Sequence, residues 1–319
     1  MTVGVMGAGA FGTSLAISLA RGGTAVSLWA RDTKTVRSIQ ETGTNSARLP
    51  DIQIPKTVAA TNDLTDLSGD VVLLSVPMQR LREVLRDAKH LQGKTLVACC
   101  KGIELATGLG PVAVISDCIP SANPAILTGP SFANDIAQGL PTALTLACAD
   151  AAAGVALQQQ LRAPNLRIYR TTDTIGAELG GALKNVMAIA CGASDGAGLG
   201  DSARAAVMTR GFAEMNRMAL RLGAQPDTLA GLSGFGDLTL TCTSNQSRNY
   251  QFGQALGQEK PFDGAITVEG AATARATLEK AKKLEIDMPI TESVVALLDQ
   301  KLKVREAVTQ LLARPAKEE

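Results

Sequence analysis

Six residues near the start of the chain, Gly7-Ala8-Gly9-Ala10-Phe11-Gly12, have the composition and spacing to hold a pyrophosphate. They follow a short apolar run, Val3 to Met6, and open a stretch from Phe11 to Arg21 in which Leu15 and Leu19 lie one helical turn apart. In that setting each glycine has a task. Gly7 permits a tight turn, Gly9 lets the backbone approach the phosphates, and Gly12 lets helix and strand pack closely, while the helix N-terminus faces the anion. The bare spacing is weak; its place between a strand and a helix makes it a dinucleotide site. The second strand, Ala25 to Ala30, runs into Arg31 and Asp32, where this fold meets the adenosine ribose. An acidic residue there selects NAD, whereas Arg31 can pair with the extra phosphate of NADP. Arg31 tips the expectation towards NADP, although Asp32 directly follows.

Open parallel sheets bind ligands beyond the carboxyl ends of their strands. Ser75-Val76-Pro77, Cys100-Lys101-Gly102 and Gly129-Pro130-Ser131-Phe132-Ala133 close the next strands, which puts Lys101 where a substrate should sit. A lysine at a strand tip can equally be a solvated charge. Farther along, Gly180 precedes Lys184 by one helical turn and Gly181 precedes Asn185 by one. Helix-interior glycines cost about 1 kcal/mol each relative to alanine, so they should admit a ligand or another backbone. The alternative is a plain helix crossing with an exposed lysine. A third segment, Ser233-Gly234-Phe235-Gly236-Asp237-Leu238 followed by Ser244-Asn245-Gln246-Ser247-Arg248-Asn249, gathers hydrogen-bond donors around one arginine. That suits phosphate recognition by a planar guanidinium; a solvated loop is the bland reading.

These residues need a scaffold. Apolar runs at Val71 to Val76, Thr95 to Cys100, Ala125 to Thr128 and Thr142 to Ala147 alternate with helical stretches. The expected fold is α/β: a Rossmann-type doubly wound parallel sheet with an all-helical C-terminal domain. The helical stretches of the second half are Thr174 to Cys191, Ala203 to Leu222, Thr273 to Leu284 and Thr291 to Leu298, and the expected division is 1–175 and 176–319. Hydrophobic residues at 45% suffice for sizeable cores, while a net charge of +1 and 3% aromatics argue against nucleic acid as a partner. The cysteines at 99, 100, 118, 148, 191 and 242 form no C-x-x-C pair, and His90 alone cannot complete a metal cluster, so no metal is expected. No apolar run suits a membrane span or a signal peptide, which points to a cytoplasmic protein. Pro315-Ala316-Lys317-Glu318-Glu319 is expected to be a frayed tail.

In order along the chain, residues 7–12, Lys101-Gly102-Ile103-Glu104, 129–133, 179–186, Gly236-Asp237-Leu238, 245–249, Val268-Glu269-Gly270 and Met288-Pro289-Ile290-Thr291-Glu292 resemble the bacterial-type NAD(P)-dependent glycerol-3-phosphate dehydrogenases. The resemblance implies reversible reduction of dihydroxyacetone phosphate with NADP(H) or NAD(H), supply of glycerol 3-phosphate for phospholipid synthesis, and a homodimer. It implies Lys184 as the catalytic lysine. Lys101, Gly129, Ser131, Asp237, Ser247, Arg248 and Asn249 become substrate contacts. Ala10, Phe11, Arg31, Lys101, Ala133, Arg248 and Glu269 become cofactor contacts, beside Gly7, Gly9 and Gly12. Ala10 stands where serine is common, Cys99-Cys100 replaces small or hydroxylated residues, and Thr267 falls where valine often lies. Lys184 would donate a proton to the growing alkoxide. Lys101 nearby would favour the neutral amine and Asp237 the ammonium, and the sequence leaves both open. A β-hydroxyacid dehydrogenase of the 6-phosphogluconate type is the nearest rival; Lys101 and Ser247-Arg248-Asn249 speak against it. A noncatalytic nucleotide sensor would need neither lysine.

Overall fold

The computed structural model describes residues 2–264 and 266–315; of the expected frayed tail, all but Pro315 lies outside them. The chain divides into two compact units, Met1–Lys101 with Leu109–Glu178, and Gly102–Gly108 with Leu179–Glu319. The short excursion at Gly102–Gly108 has no counterpart in the sequence-based division.

The first unit is built on an eight-stranded sheet. Its strands are β1 (Thr2–Met6), β2 (Ala25–Trp29), β5 (Val58–Thr61), β6 (Val71–Leu74), β7 (Thr95–Ala98), β8 (Asn123–Thr128), β9 (Thr142–Cys148) and β10 (Leu166–Thr171). Between them run α1 (Ala10–Arg21), α2 (Thr33–Thr42), α3 (Met78–Asp87), α4 (Pro111–Cys118), α5 (Ala133–Gln138) and α6 (Ala151–Gln160). A separate hairpin, β3 (Thr44–Asn45) with β4 (Leu49–Gln53), is inserted between α2 and β5. In the order β5-β2-β1-β6-β7-β8 every pairing is parallel.

The strands are apolar throughout because both faces are covered. Val3, Val5, Leu28, Leu73 and Val97 enter one core, and Met6, Val72, Leu74, Leu96 and Ala98 enter the other, the two-residue alternation of a pleated strand. The expected doubly wound parallel sheet is present with one local departure: β9, which holds the Thr142 to Ala147 run, lies antiparallel to β8, and β10 continues parallel to β9. An apolar run records that both faces are buried and carries no information about strand direction.

The second unit is helical. Helix α7 (Thr174–Gly196) carries the division between the units, and α8 (Gly200–Arg221), α9 (Pro226–Ala230), α10 (Asp237–Cys242), α11 (Arg248–Gly257), α12 (Glu269–Lys283), α13 (Pro289–Leu298) and α14 (Val304–Leu312) follow. Leu183, Met187, Met215, Met218, Leu229, Leu238 and Val294 are among the residues that form the core. Helices α7 and α11 meet backbone to backbone. A Cβ on Gly192 or Gly196 would lie 2.1 or 2.2 Å from the carbonyls of Tyr250 and Gln254, and one on Gly253 or Gly257 would lie 2.2 or 2.3 Å from those of Ile189 and Ala193. At the start of α13 the buried carboxylate of Glu214, on α8, accepts from Ile290 N (2.5 Å), Thr291 N (3.1 Å) and Thr291 Oγ1 (2.9 Å). The two main-chain N–H groups are orphan donors of a helix N-terminus.

Candidate functional site

In the first unit the strand order reverses between β1 and β6, and such switch points are where open α/β sheets hold ligands. Residues 7–12 leave β1 at this point, and Ser75 follows β6. Gly7 adopts φ +116°, a left-handed value that favours glycine, and its N–H donates to the Trp29 carbonyl at 2.9 Å. A Cβ on Gly12 would lie 2.0 Å from the Gly7 carbonyl, so α1 must start hard against the turn. Gly9 differs: a Cβ there would meet nothing within 4 Å. It caps α1, whose first turn carries no acidic side chain. Open space, a helix N-terminus and the absence of a carboxylate fit the pyrophosphate of a dinucleotide. Ala10 and Phe11 open the helix, both half-buried.

At the tip of β2, Asp32 caps α2. Its carboxylate accepts from Lys34 N at 3.1 Å, Thr35 N at 3.2 Å and Thr35 Oγ1 at 3.0 Å. The Lys34 amide and then the Thr35 hydroxyl hold that carboxyl below the usual range. Arg31 is exposed and makes no hydrogen bond or ion pair among the described residues. The carboxylate is thus engaged by α2, while the guanidinium is open.

Three of the sequence-derived substrate contacts converge past β7 and β8. Lys101 Nζ donates to the Gly129 carbonyl at 3.3 Å, and Ser131 Oγ donates to the same oxygen at 3.1 Å. Ala133 opens the short helix α5 that follows. Cys99 and Cys100, whose effect the sequence left open, are buried in the two separate cores. Burial pushes the Cys99 thiol up to about 12, against the partial pull of Lys101. These cysteines pack as small apolar residues.

The second unit holds the other cluster. Lys184, on α7, is buried and donates from Nζ to Asp237 Oδ1 at 2.6 Å and to Thr241 Oγ1 at 2.7 Å. Asp237 is fully buried, and the Thr241 hydroxyl donates to its main-chain carbonyl at 2.6 Å. Gly180 explains how the aspartate arrives. A Cβ at Gly180 would lie 2.3 Å from the Ser233 carbonyl, within a π-helical turn at Leu232–Gly236. One turn farther along each segment, Lys184 meets Asp237. Of the two readings of Gly180, the other backbone is what it admits, yet the lysine is buried and paired, not exposed.

In the donor-rich stretch at 233–249, for which a loop was the bland reading, residues through Cys242 are helical, whereas 243–247 form a turn whose polar side chains bond to the main chain. Ser247 caps α11, its hydroxyl accepting from Tyr250 N at 3.2 Å. Buried Asn249 accepts from Gly270 N at 2.9 Å, which ties α11 to the start of α12 beside Glu269. Arg248, the first residue of α11, is exposed and makes no hydrogen bond or ion pair among the described residues. A cation at a helix N-terminus with no acidic residue in the first turn is unfavourable by itself and is relieved by an anion.

Two participants were missed in the sequence. Thr241 could have been found, since it lies one turn after Asp237 on the same helix face. Asn45 gave no signal; it reaches the 7–12 turn from the β3–β4 hairpin. Among the described residues no group of three or more His, Cys, Asp or Glu is placed to hold a metal, and no helix is long and apolar enough to cross a membrane.

Comparison with known proteins places these units in context. The profile for the NAD-dependent glycerol-3-phosphate dehydrogenase N-terminus matches residues 2–154, and that for the C-terminus matches 173–309. A curated relative from Ruegeria sp. (strain TM1040), named glycerol-3-phosphate dehydrogenase [NAD(P)+], is 61% identical over 322 residues, covering 100% of both chains. One of the same name from Roseobacter denitrificans is 60% identical over 321 residues, again covering 100% of both. The crystal structure of glycerol-3-phosphate dehydrogenase from Coxiella burnetii superposes with a TM-score of 0.92 at 37% identity, covering 98% of this chain and 99% of that one.

Proposed function

The chain belongs to the NAD-dependent glycerol-3-phosphate dehydrogenase family, and from that premise we propose roles for the residues of each unit in the reaction. The reaction is the reversible NAD(P)H-dependent reduction of dihydroxyacetone phosphate to sn-glycerol 3-phosphate, which feeds glycerophospholipid synthesis. The observation that carries the assignment of roles is the buried Lys184 ammonium held by Asp237 and Thr241.

The nicotinamide of a bound dinucleotide would supply the hydride for the carbonyl carbon. Negative charge then grows on the carbonyl oxygen, and Lys184 stabilises it and donates the proton; in the reverse direction the neutral amine takes the hydroxyl proton. Asp237 and Thr241 fix the position of Nζ, so little reorganisation is needed as charge develops. Arg248, with Asn249 and Ser247 beside it, binds the substrate phosphate at the start of α11. Lys101, Gly129 and Ser131 contribute further substrate contacts. Gly7, Gly9, Ala10, Phe11 and Gly12 hold the dinucleotide, with Ala133, Arg248 and Glu269 as additional contacts. Arg31 takes the 2′-phosphate of NADP, supported by the engagement of Asp32 with α2.

Family membership supports a homodimer, which sedimentation equilibrium tests. The free cysteines, mostly buried, suit the reducing cytoplasm. The test of the whole is oxidation of NADPH, and separately NADH, with dihydroxyacetone phosphate and with unphosphorylated dihydroxyacetone. Rapid oxidation only with the phosphorylated ketone is expected. Equal rates with both ketones would remove the phosphate role of Arg248.

A further inference from the structure

The β3–β4 hairpin carries one polar side chain that is completely buried, Asn45. The hairpin is anchored by Leu49 and Ile54, both in the first core. Its register shifts between Thr44 and Asn45, an irregularity that pairs Thr44 with Gln53 and Asn45 with Leu49. Such irregularities commonly redirect a side chain beside a functional site. Here the redirected amide spans the glycine turn. Asn45 Nδ2 donates to the Ala8 carbonyl at 3.0 Å and to Thr13 Oγ1 at 2.9 Å. One bond holds the turn before Gly9, and the other holds the first turn of α1.

The bond to Ala8 has a directional consequence. Within a planar trans peptide the C=O and N–H point in opposite directions. The Ala8 carbonyl and the Gly9 N–H belong to the same peptide. By holding that carbonyl against the hairpin, Asn45 turns the Gly9 N–H the other way. That N–H has no hydrogen-bond partner among the described residues, and the space beside Gly9 is open. Glycine at position 9 would otherwise let this peptide rotate at little steric cost.

Asn45 also brings a cost that an apolar residue would avoid. Its Oδ1 is buried without a partner, and an unsatisfied buried acceptor is destabilising. Retaining an amide at such a place makes sense when both N–H groups are needed.

We infer that Asn45 is a positioning residue for the dinucleotide: it clamps the Ala8–Gly9 peptide so that the Gly9 N–H faces the pyrophosphate. The inference rests on the dinucleotide lying against residues 7–12. Thr13 shares the clamp, because its hydroxyl receives the second Asn45 N–H.

The test measures NADPH and NADH dissociation constants by quenching of Trp29, the single tryptophan, together with kcat and both KM values. Asn45→Ala should weaken dinucleotide binding by about 10- to 30-fold, the worth of one misdirected Gly9 N–H bond to a charged group, with kcat and the KM for dihydroxyacetone phosphate within about twofold of wild type. Asn45→Asp, which places an acceptor against a carbonyl, should lose at least as much. The isosteric Thr13→Val removes one acceptor without disturbing the core and should give a smaller loss, non-additive with Asn45→Ala. Gly9→Val serves as the control for the site, since its side chain would fill the open space. If Gly9→Val binds dinucleotide normally, the 7–12 site reading fails and takes the clamp with it. If Gly9→Val loses binding while folded Asn45→Ala and Thr13→Val keep it, the clamp alone is overturned. A loss shared equally between dinucleotide KM, substrate KM and kcat would likewise reduce Asn45 to a structural role.

Discussion

The start of α1 and the interior of α7 both carry glycine, one as a helix cap and one within the helix, and they use it for opposite ends. Beside Gly9 the structure keeps space empty, while beside Gly180 it fills the space with the Ser233 carbonyl. The first glycine leaves its own backbone open, as the proposed dinucleotide site requires. The second brings another backbone close, and the functional gain appears one turn away, where Asp237 reaches Lys184. With the proposed roles, the same residue type serves a site directly in one unit and indirectly in the other. Only the coordinates of the opposing atoms tell the two uses apart.

The largest expected effect separates the units by function. Lys184→Ala should lower kcat by about a thousandfold or more, in line with loss of a proton donor and of charge stabilisation, while the NADPH dissociation constant stays unchanged. It should also destabilise the second unit by about 3–5 kcal/mol, because the buried Asp237 carboxylate loses the Lys184 ammonium. Lys184→Ala with Asp237→Asn should recover much of the melting temperature and none of the turnover. Near-normal turnover in Lys184→Ala would break the assignment.

Next in size is the exchange of one glycine against the other. Gly180→Ala places a methyl on a carbonyl and should cost about 3 kcal/mol of stability by chemical denaturation. Gly9→Ala, with backbone angles open to any residue and space around it, should change stability by less than about 1 kcal/mol and yet weaken dinucleotide binding. Equal effects on stability would erase the contrast.

Arg31→Ala should raise the NADPH dissociation constant by about 10- to 100-fold, the worth of a charge-assisted contact, and leave NADH binding unchanged. Parallel losses for both cofactors would assign Arg31 to the shared part of the molecule.

The smallest effect concerns Glu214. Burial raises its carboxyl above the usual range, against the pull of the Ile290 and Thr291 N–H donors. A raised acid favours the protonated folded form. Its contribution is therefore full below the unfolded value of about 4.5 and fades as pH rises through the folded value. Melting temperatures of wild type and Glu214→Gln, measured between about pH 4 and 7, should differ most in favour of wild type at the acid end. A gap that widens with pH would reverse the assigned cause.

Legibility in the sequence follows the same contrast. The 7–12 turn is contiguous and has a strand on one side and a helix on the other, so spacing and local context together made it legible. Lys184 and Asp237 were legible as possible partners, but at a separation of 53 positions no local spacing could settle their contact. Asn45 was invisible because its partners, Ala8 and Thr13, lie in another local pattern altogether. Strand direction at β9 and the membership of Gly102–Gly108 in the second unit were likewise settled by distant contacts. Ile103 packs with Ala182 and Ala276, and Lys280 Nζ donates to the Gly108 carbonyl at 3.2 Å. Short-range periodicity records none of this.

The meeting of α7 and α11 has a consequence for how the sequence can drift. Where side chain faces side chain, a larger residue can be accommodated by a smaller one opposite, and lineages exchange volume across the contact. At Gly192, Gly196, Gly253 and Gly257 the obstacle to a methyl is main chain, which every residue possesses. No second substitution can make it smaller. These four positions have no compensating path, and a lineage that keeps this crossing must keep all four as they are.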